Sequence, residues 1–251
     1  MDTKTVFSRK AEKYAKHRWD YAPQSTQTLI EITRISTESV LADIGAGSGI
    51  LTRHFIDRAG RIYAIEPNVE LRQILIKEMK ASPSVLVLDA SAENTTLSNN
   101  SVDIITVAQA IRWFDPEPAR REMMRILKRQ GWLALLRNYG TNKEREEVIG
   151  SLSTEEYGAD FTVVNQLPKE NPNHFYFGND NFRKLTFPFR FEQNYEEFIG
   201  ALTSASFMPD EDHPLFDKLK TKARQIFFEY SKDGAWLVEG ETELIIGQPS
   251  K

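Results

Sequence analysis

The stretch Val40-Leu41-Ala42-Asp43-Ile44-Gly45-Ala46-Gly47-Ser48-Gly49-Ile50 decides how this chain is read. The apolar run from Val40 to Ile44 predicts a buried strand. It ends in three alternating glycines, Gly45, Gly47 and Gly49. Glycines let a backbone turn sharply and let a ligand approach without meeting a Cβ. The spacing of Leu51, Phe55 and Ala59 predicts an amphipathic helix directly afterwards. Strand, glycine loop and helix is how a doubly wound sheet grips a nucleotide-like ligand at the carboxyl ends of its strands.

The spacing narrows the ligand. A dinucleotide fingerprint is Gly-x-Gly-x-x-Gly, whose third glycine packs helix on strand. Counted from Gly45 that glycine would fall at Ile50, and from Gly47 at Thr52. The loop here is Gly-x-Gly-x-Gly with Asp43 ahead of it. A negative charge at a strand end repels a pyrophosphate and suits an ammonium. The arrangement resembles the first motif of the class I S-adenosylmethionine-dependent methyltransferases. In that family the acidic residue and the loop, here Asp43, Gly45, Ala46, Gly47 and Gly49, hold the amino acid end of the cofactor. A glycine-rich turn in another α/β protein is the competing reading. A nicotinamide-dependent oxidoreductase is disfavoured by Ile50.

Composition bounds the rest. The chain has 251 residues, enough for one large domain or a domain with a lid. Hydrophobic residues make up 40% and charged ones 27%, which fits a globular protein rather than a disordered one. The net charge of −4 provides no basic field for nucleic acid. No 18-residue apolar run is present, so no membrane span is expected. Met-Asp-Thr-Lys-Thr at the start lacks the apolar core of a secretory signal. There is no cysteine, which excludes disulfides, thiolate metal sites and cysteine nucleophiles. A cytoplasmic protein is expected.

In chain order, residues 5–17 predict a helix with Phe7, Ala11, Tyr14 and Ala15 along one stripe. Many small-molecule methyltransferases begin with a similar Phe-x3-Ala-x2-Tyr-x3-Arg segment that closes over the cofactor. The resemblance falls on Phe7, Ala11, Tyr14 and Arg18, and implies that Arg18 pairs with the cofactor carboxylate. A solvated basic helix is the alternative. Residues 25–36 predict a second helix. The next strand, Arg61–Ile65, ends at Glu66, which stands 23 residues after Asp43. That interval suits an acid gripping both ribose hydroxyls. Pro67 stops the strand and Asn68 caps a helix that turns Leu71, Ile74, Leu75 and Met79 inward. Strand three, Val85–Leu88, leads to Asp89 and Ala90, which in the family lie beside the adenine. Strand four, Val102–Ala108, ends at Gln109. Pro116 and Pro118 then open a helix that Gly131 is expected to end. Strand five is read as Trp132–Leu136.

This alternation predicts an α/β fold with a doubly wound, mostly parallel seven-stranded sheet of the Rossmann-like methyltransferase type. A single domain over 1–251 is expected, with a cap helix at 5–20, a cofactor-binding core at about 25–140 and a helical lid at about 141–232. Within that last part, Glu144–Tyr157, Tyr195–Ala205 and Leu215–Tyr230 are read as helices. Residues 165–181 are read as loop, and Leu185–Phe191 and Trp236–Ile246 as the closing strands.

The chemistry implied by the resemblance is transfer of a sulfonium methyl to a small-molecule acceptor, releasing S-adenosyl-L-homocysteine. Alignment of nucleophile and methyl and exclusion of water are the protein's task. No metal is needed, and His17, His54, His174 and His213 show no ligand spacing and are read as surface residues. Residues after strand four face the transferred methyl in the family. Ala-Gln-Ala-Ile-Arg-Trp-Phe-Asp resembles the Ala-x-Ala-x-His-Trp-Phe-Asp of the trans-aconitate methyltransferase-like subgroup, with Arg112 in place of histidine. Gln109 and Arg112 are therefore the candidate catalytic residues, with a carboxylate or other anionic metabolite as the acceptor. Trp19, Tyr21, Trp113 and Phe207 are candidates to line the substrate pocket. A cofactor-binding module without activity, working through protein partners, remains open, as does monomer against homodimer.

Overall fold

The computed structural model of the protein describes residues 10–167 and 173–250. Its strands are β1 (Val40–Ile44), β2 (Arg61–Ile65), β3 (Val85–Leu88), β4 (Val102–Ala108), β5 (Leu127–Gly140), β6 (Phe182–Gln193) and β7 (Trp236–Gly247). They form one sheet in the order β3-β2-β1-β4-β5-β7-β6, and the pairing from β3 through to β5 is parallel. The fold is α/β, mostly parallel and Rossmann-like, as the sequence predicts. The strand order reverses between β1 and β4, so the carboxyl end of β1 opens at the switch point where such sheets bind ligands.

The helices are α1 (Ala11–His17), α2 (Pro23–Thr33), α3 (Val69–Glu78), α4 (Pro116–Ile126), α5 (Lys143–Leu152), α6 (Thr162–Gln166), α7 (Asn173–Phe177), α8 (Tyr195–Thr203) and α9 (Phe216–Tyr230). The Asn68 side chain accepts from the Leu71 N–H and caps α3, as expected. Pro116 sits in the first turn of α4, where its missing N–H costs nothing. Phe7 lies outside the described residues.

Three expectations are corrected. Residues 50–59 do not form an α-helix; a single 3-10 turn spans Thr52–Phe55. The chain leaves it at Ile56, and Asp57 adopts φ +61°. Leu51, Phe55 and Ala59 are still buried, as the apolar pattern requires, without a continuous helix between them. Gly131 does not end a helix. The helix ends at Ile126, and Gly131 lies within β5, where the register against β4 shifts between Val102 and Ile104. A Cβ there would stand 2.5 Å from the Leu127 side chain and 3.0 Å from the Asp103 carbonyl oxygen, so the bulge packs closely on this glycine. Residues 165–181 are not all loop: α6 ends and α7 lies within them, and residues 168–172 fall outside the description. Tyr176 and Phe177 are buried in a sheet layer, and this aromatic burial overrides the loop-like composition.

The chain divides into two compact units. One comprises Asp20–Asn138, the segment ending at Phe187 and Thr242–Lys251. Along its strands, alternate residues serve alternate layers: Ala42, Ile44, Ile105 and Val107 face one, Leu41, Ile62 and Ile104 the other. The second unit comprises the chain through Trp19, Tyr139–Leu167 and Pro188–Glu241. Its core is aromatic, with Phe198 and Trp236 rings 4.7 Å apart beside Phe227.

Candidate cofactor site

At the end of β1 the Asp43 carboxylate is buried beneath the glycine loop. One oxygen accepts from the Thr52 hydroxyl at 2.6 Å and the other from the Thr106 hydroxyl at 2.8 Å. Thr106 is the residue directly across from Asp43 on β4. Burial pushes the Asp43 carboxyl up to about 6, and the two hydroxyls only partly offset it.

All three loop glycines have positive φ, at +72°, +59° and +89°. A Cβ at Gly45 would stand 2.6 Å from the Ala110 Cβ. One at Gly49 would meet the side-chain ends of Leu75 and Met79 at 2.7 Å. The third glycine therefore lets the loop pack against α3 and the residue after it. The Ser48 hydroxyl is buried with no hydrogen-bond partner among the described residues. A buried orphan of this kind, at a loop between two carboxylates, marks a place built to receive a polar group.

Glu66, at the end of β2, is also buried. Its carboxylate accepts from the Gly47 N–H and the Asn68 N–H, each at 2.8 Å. Burial raises its pKa, and these two N–H groups pull it back. Each oxygen has accepted one bond, which leaves capacity for a diol. Arg72 organises the neighbourhood. It donates to the carbonyls of Glu66 and Pro67 and pairs with Asp89 at 2.9 Å. Ala90 is buried beside this pair.

Beyond β4, Gln109 adopts φ +56°, a strained conformation for a residue with a side chain. Its N–H donates to the Leu136 carbonyl at 2.9 Å and its side-chain amide to the Asn138 carbonyl at 3.1 Å. A 3-10 turn, Ile111–Trp113, follows. Arg112 is exposed there, with its guanidinium 5.7 Å from the Trp113 ring centroid. Trp113 is half-buried against the core, and Phe114 is buried.

Asp43, Gly45, Ala46, Gly47, Gly49, Glu66, Pro67, Asp89, Ala90, Gln109, Arg112 and Trp113 all belong to the first unit. Tyr21 does too, with its ring in the core beside Leu29 and Leu41. Tyr14, Arg18, Trp19 and Phe207 belong to the second unit. There Arg18 stacks over the Tyr14 ring at 5.0 Å. Trp19 packs edge-on against Phe189 and Phe191, and Phe207 stacks on Phe161. Two histidines are not surface residues as read: His17 and His54 are half-buried, the first against Gly200, the second against Asp20.

The sequence reading missed Thr52, Thr106, Ser48, Arg72 and Asp20. A lone threonine inside the apolar run of β4 was the available signal for Thr106. Asp20 accepts from Arg53 at 2.8 Å and lies 2.7 Å from His54 Nε2. Burial alone would raise the Asp20 carboxyl, but the bonds from His54 and Arg53 outweigh it and hold it at about 2. A depressed folded value stabilises above the ordinary aspartate range and is lost as pH falls toward 2. Urea midpoints should therefore separate wild type from Asp20→Asn at pH 6 and converge by about pH 2. A gap unchanged across that range would exclude the ion cluster as its source.

No described helix is long and apolar enough to cross a membrane, and no described group of three or more His, Asp or Glu side chains could hold a metal. The fold is of the Rossmann-like methyltransferase type, with a glycine loop between two buried carboxylates at its switch point. Residues 42–135 match the methyltransferase-domain family. The chain is 33% identical over 154 residues to an uncharacterised methyltransferase of Mycobacterium tuberculosis (strain ATCC 25618 / H37Rv), covering 59% of this chain and 60% of that one. It thus spans 60% of the length of this relative. It is 26% identical over 186 residues to the ubiquinone/menaquinone biosynthesis C-methyltransferase UbiE of Pseudomonas savastanoi pv. phaseolicola, covering 71% and 68%. The crystal structure of the YcgJ protein from Bacillus subtilis shares the fold, with TM-score 0.59 and 18% identity over 91% of this chain and 99% of that one. Over the matched residues the chain is similar to methyltransferases, and the group against which its loop is tested is the methyl donor S-adenosylmethionine. The loop fits that group: two buried carboxylates flank it, a hydroxyl awaits a partner, and residues 43–50 include no cation.

Proposed function

We propose that this protein transfers a methyl group from S-adenosylmethionine to a small anionic acceptor. The observation that carries the reading is the left-handed glycine loop set between buried Asp43 and Glu66. The cofactor supplies an electrophilic methyl on a sulfonium. The Asp43 charge lies under the loop in a region of low dielectric, where it attracts an ammonium far more strongly than in water. Glu66 keeps lone pairs for the ribose hydroxyls, and the Asp89 side grips the adenine. Gln109 borders the cofactor on the acceptor side, and Arg112 faces the acceptor. A permanent cation after β4 suits a carboxylate, which needs no general base to act as nucleophile. The similarity to a quinone-pathway methyltransferase supports a small-molecule acceptor.

S-Adenosylmethionine should raise the melting temperature where NAD does not, because only a ligand of the native state stabilises it. A shift with NAD alone would overturn the reading. Arg112→Ala should cost turnover of a carboxylate acceptor about tenfold more than of a neutral one, the worth of one charged hydrogen bond. Equal losses in the measured kcat/KM values would remove Arg112 from substrate recognition.

A further inference from the structure

Asn138, at the carboxyl end of β5, joins three distant segments of the same unit. Its carbonyl accepts from the Gln109 side-chain amide at 3.1 Å. Its own side-chain amide donates to the Asp20 carbonyl at 2.9 Å. Its side-chain oxygen accepts from the Thr242 hydroxyl at 2.6 Å. That buried hydroxyl in turn accepts from the Ala22 N–H at 2.8 Å. Asp20 is clamped from its other side by Arg53 and His54, in the turn directly after the glycine loop. One asparagine thus ties the strained residue after β4 to a segment anchored on the cofactor loop.

We propose that Asn138 is a positioning residue for the methyl-transfer site, acting through Gln109. The side chain must be both donor and acceptor, since it meets a carbonyl and a hydroxyl at once; aspartate lacks the donor and leucine lacks both. By fixing the Asn138 main chain, the side chain places the carbonyl that receives the Gln109 amide, the contact that holds Gln109 in its left-handed conformation. Because Asp20 is fixed to the turn after Gly49, it also sets the distance between the two sides of the cradle. The inference rests on the proposed function, because it assigns Gln109 to the cofactor.

The test is calorimetry of S-adenosylhomocysteine with the full chain carrying Asn138→Leu, Thr242→Val, Gln109→Ala, or Asn138→Leu with Gln109→Ala. Asn138→Leu removes both side-chain hydrogen bonds and should weaken binding about tenfold, and Thr242→Val, which removes one of them, should act in the same direction. In the Gln109→Ala background the Asn138→Leu change should add less than about twofold, since coupled residues are not additive. A merely structural role would give equal losses in both backgrounds, and that result, or wild-type affinity in Asn138→Leu, overturns the proposal. Should Asn138→Leu fail to fold by circular dichroism, Thr242→Val in the two backgrounds decides in the same way. Wild type that binds no S-adenosylhomocysteine would refute the methyltransferase reading itself, and this proposal with it.

Discussion

Asp43→Asn is expected to stabilise the ligand-free protein at pH 8 while weakening S-adenosylhomocysteine by tenfold or more, roughly one lost charge-assisted contact. Burial holds the Asp43 carboxyl at about 6 against an ordinary value of 3.8. The fold therefore prefers the protonated acid. That preference is fully expressed below the ordinary aspartate range and lost as pH rises through about 6. At pH 8 the native protein carries a buried charge that the unfolded chain would hold in water. A shift of about 2 units corresponds to roughly 3 kcal/mol, a ceiling on what the neutral amide recovers. Thr106 can still donate to the amide oxygen, and the Thr52 hydroxyl can turn to accept from the amide nitrogen. Calorimetric melts should differ at pH 8, with the variant higher, and converge near pH 4. A lower melting point for the variant at pH 8 would contradict the charge argument.

The same charge makes binding pH-dependent. Wild-type affinity for the ammonium-bearing product should fall as pH drops through about 6, and the variant's affinity should stay flat. Under the proposed function, Asp43 trades stability for binding.

Gly45→Ala should destabilise the fold by about 3 kcal/mol and abolish cofactor binding, because strain and overpacking act together there. The position has φ +72°, and the new Cβ would lie 2.6 Å from the Ala110 Cβ. Ala110 has no flexible end to move aside, so its backbone must shift and take Gln109 with it. The matched control is Gly150→Ala in α5, where nothing lies within 4 Å. It should gain about 0.5 kcal/mol from helix propensity alone. Equal urea midpoints for the two variants would mean that the loop geometry does not constrain Gly45.

Much of this site was legible because its parts are local in the chain. Strands of a parallel sheet read as apolar runs, largely buried in β1 and β4 and partly exposed at the edge in β3, so β1 to β4 stand out with their ends. Ligands of doubly wound sheets bind at the carboxyl ends of the strands, so Asp43 near the end of β1 and Glu66, Asp89 and Gln109 directly after β2, β3 and β4 are candidates from the sequence alone. Helix α3 is announced by its Asn68 cap, and α9 by its apolar stripe. Residues 50–59 misled because Leu51, Phe55 and Ala59 are buried at helical spacing although only a short turn, Thr52–Phe55, lies between them. Gly131 misled because a glycine that ends a helix and one that permits a bulge look alike in sequence.

The sequence by itself determined the strand-and-helix alternation, the glycine loop and the two acids beside it, since periodicity and turn chemistry act over a few residues. Only the tertiary structure decided what those acids touch. Thr106 lies 63 residues from Asp43, and Asp20 lies 118 from Asn138. Such pairs exist because strand order and register bring them together, and neither is written in the spacing of residues along the chain.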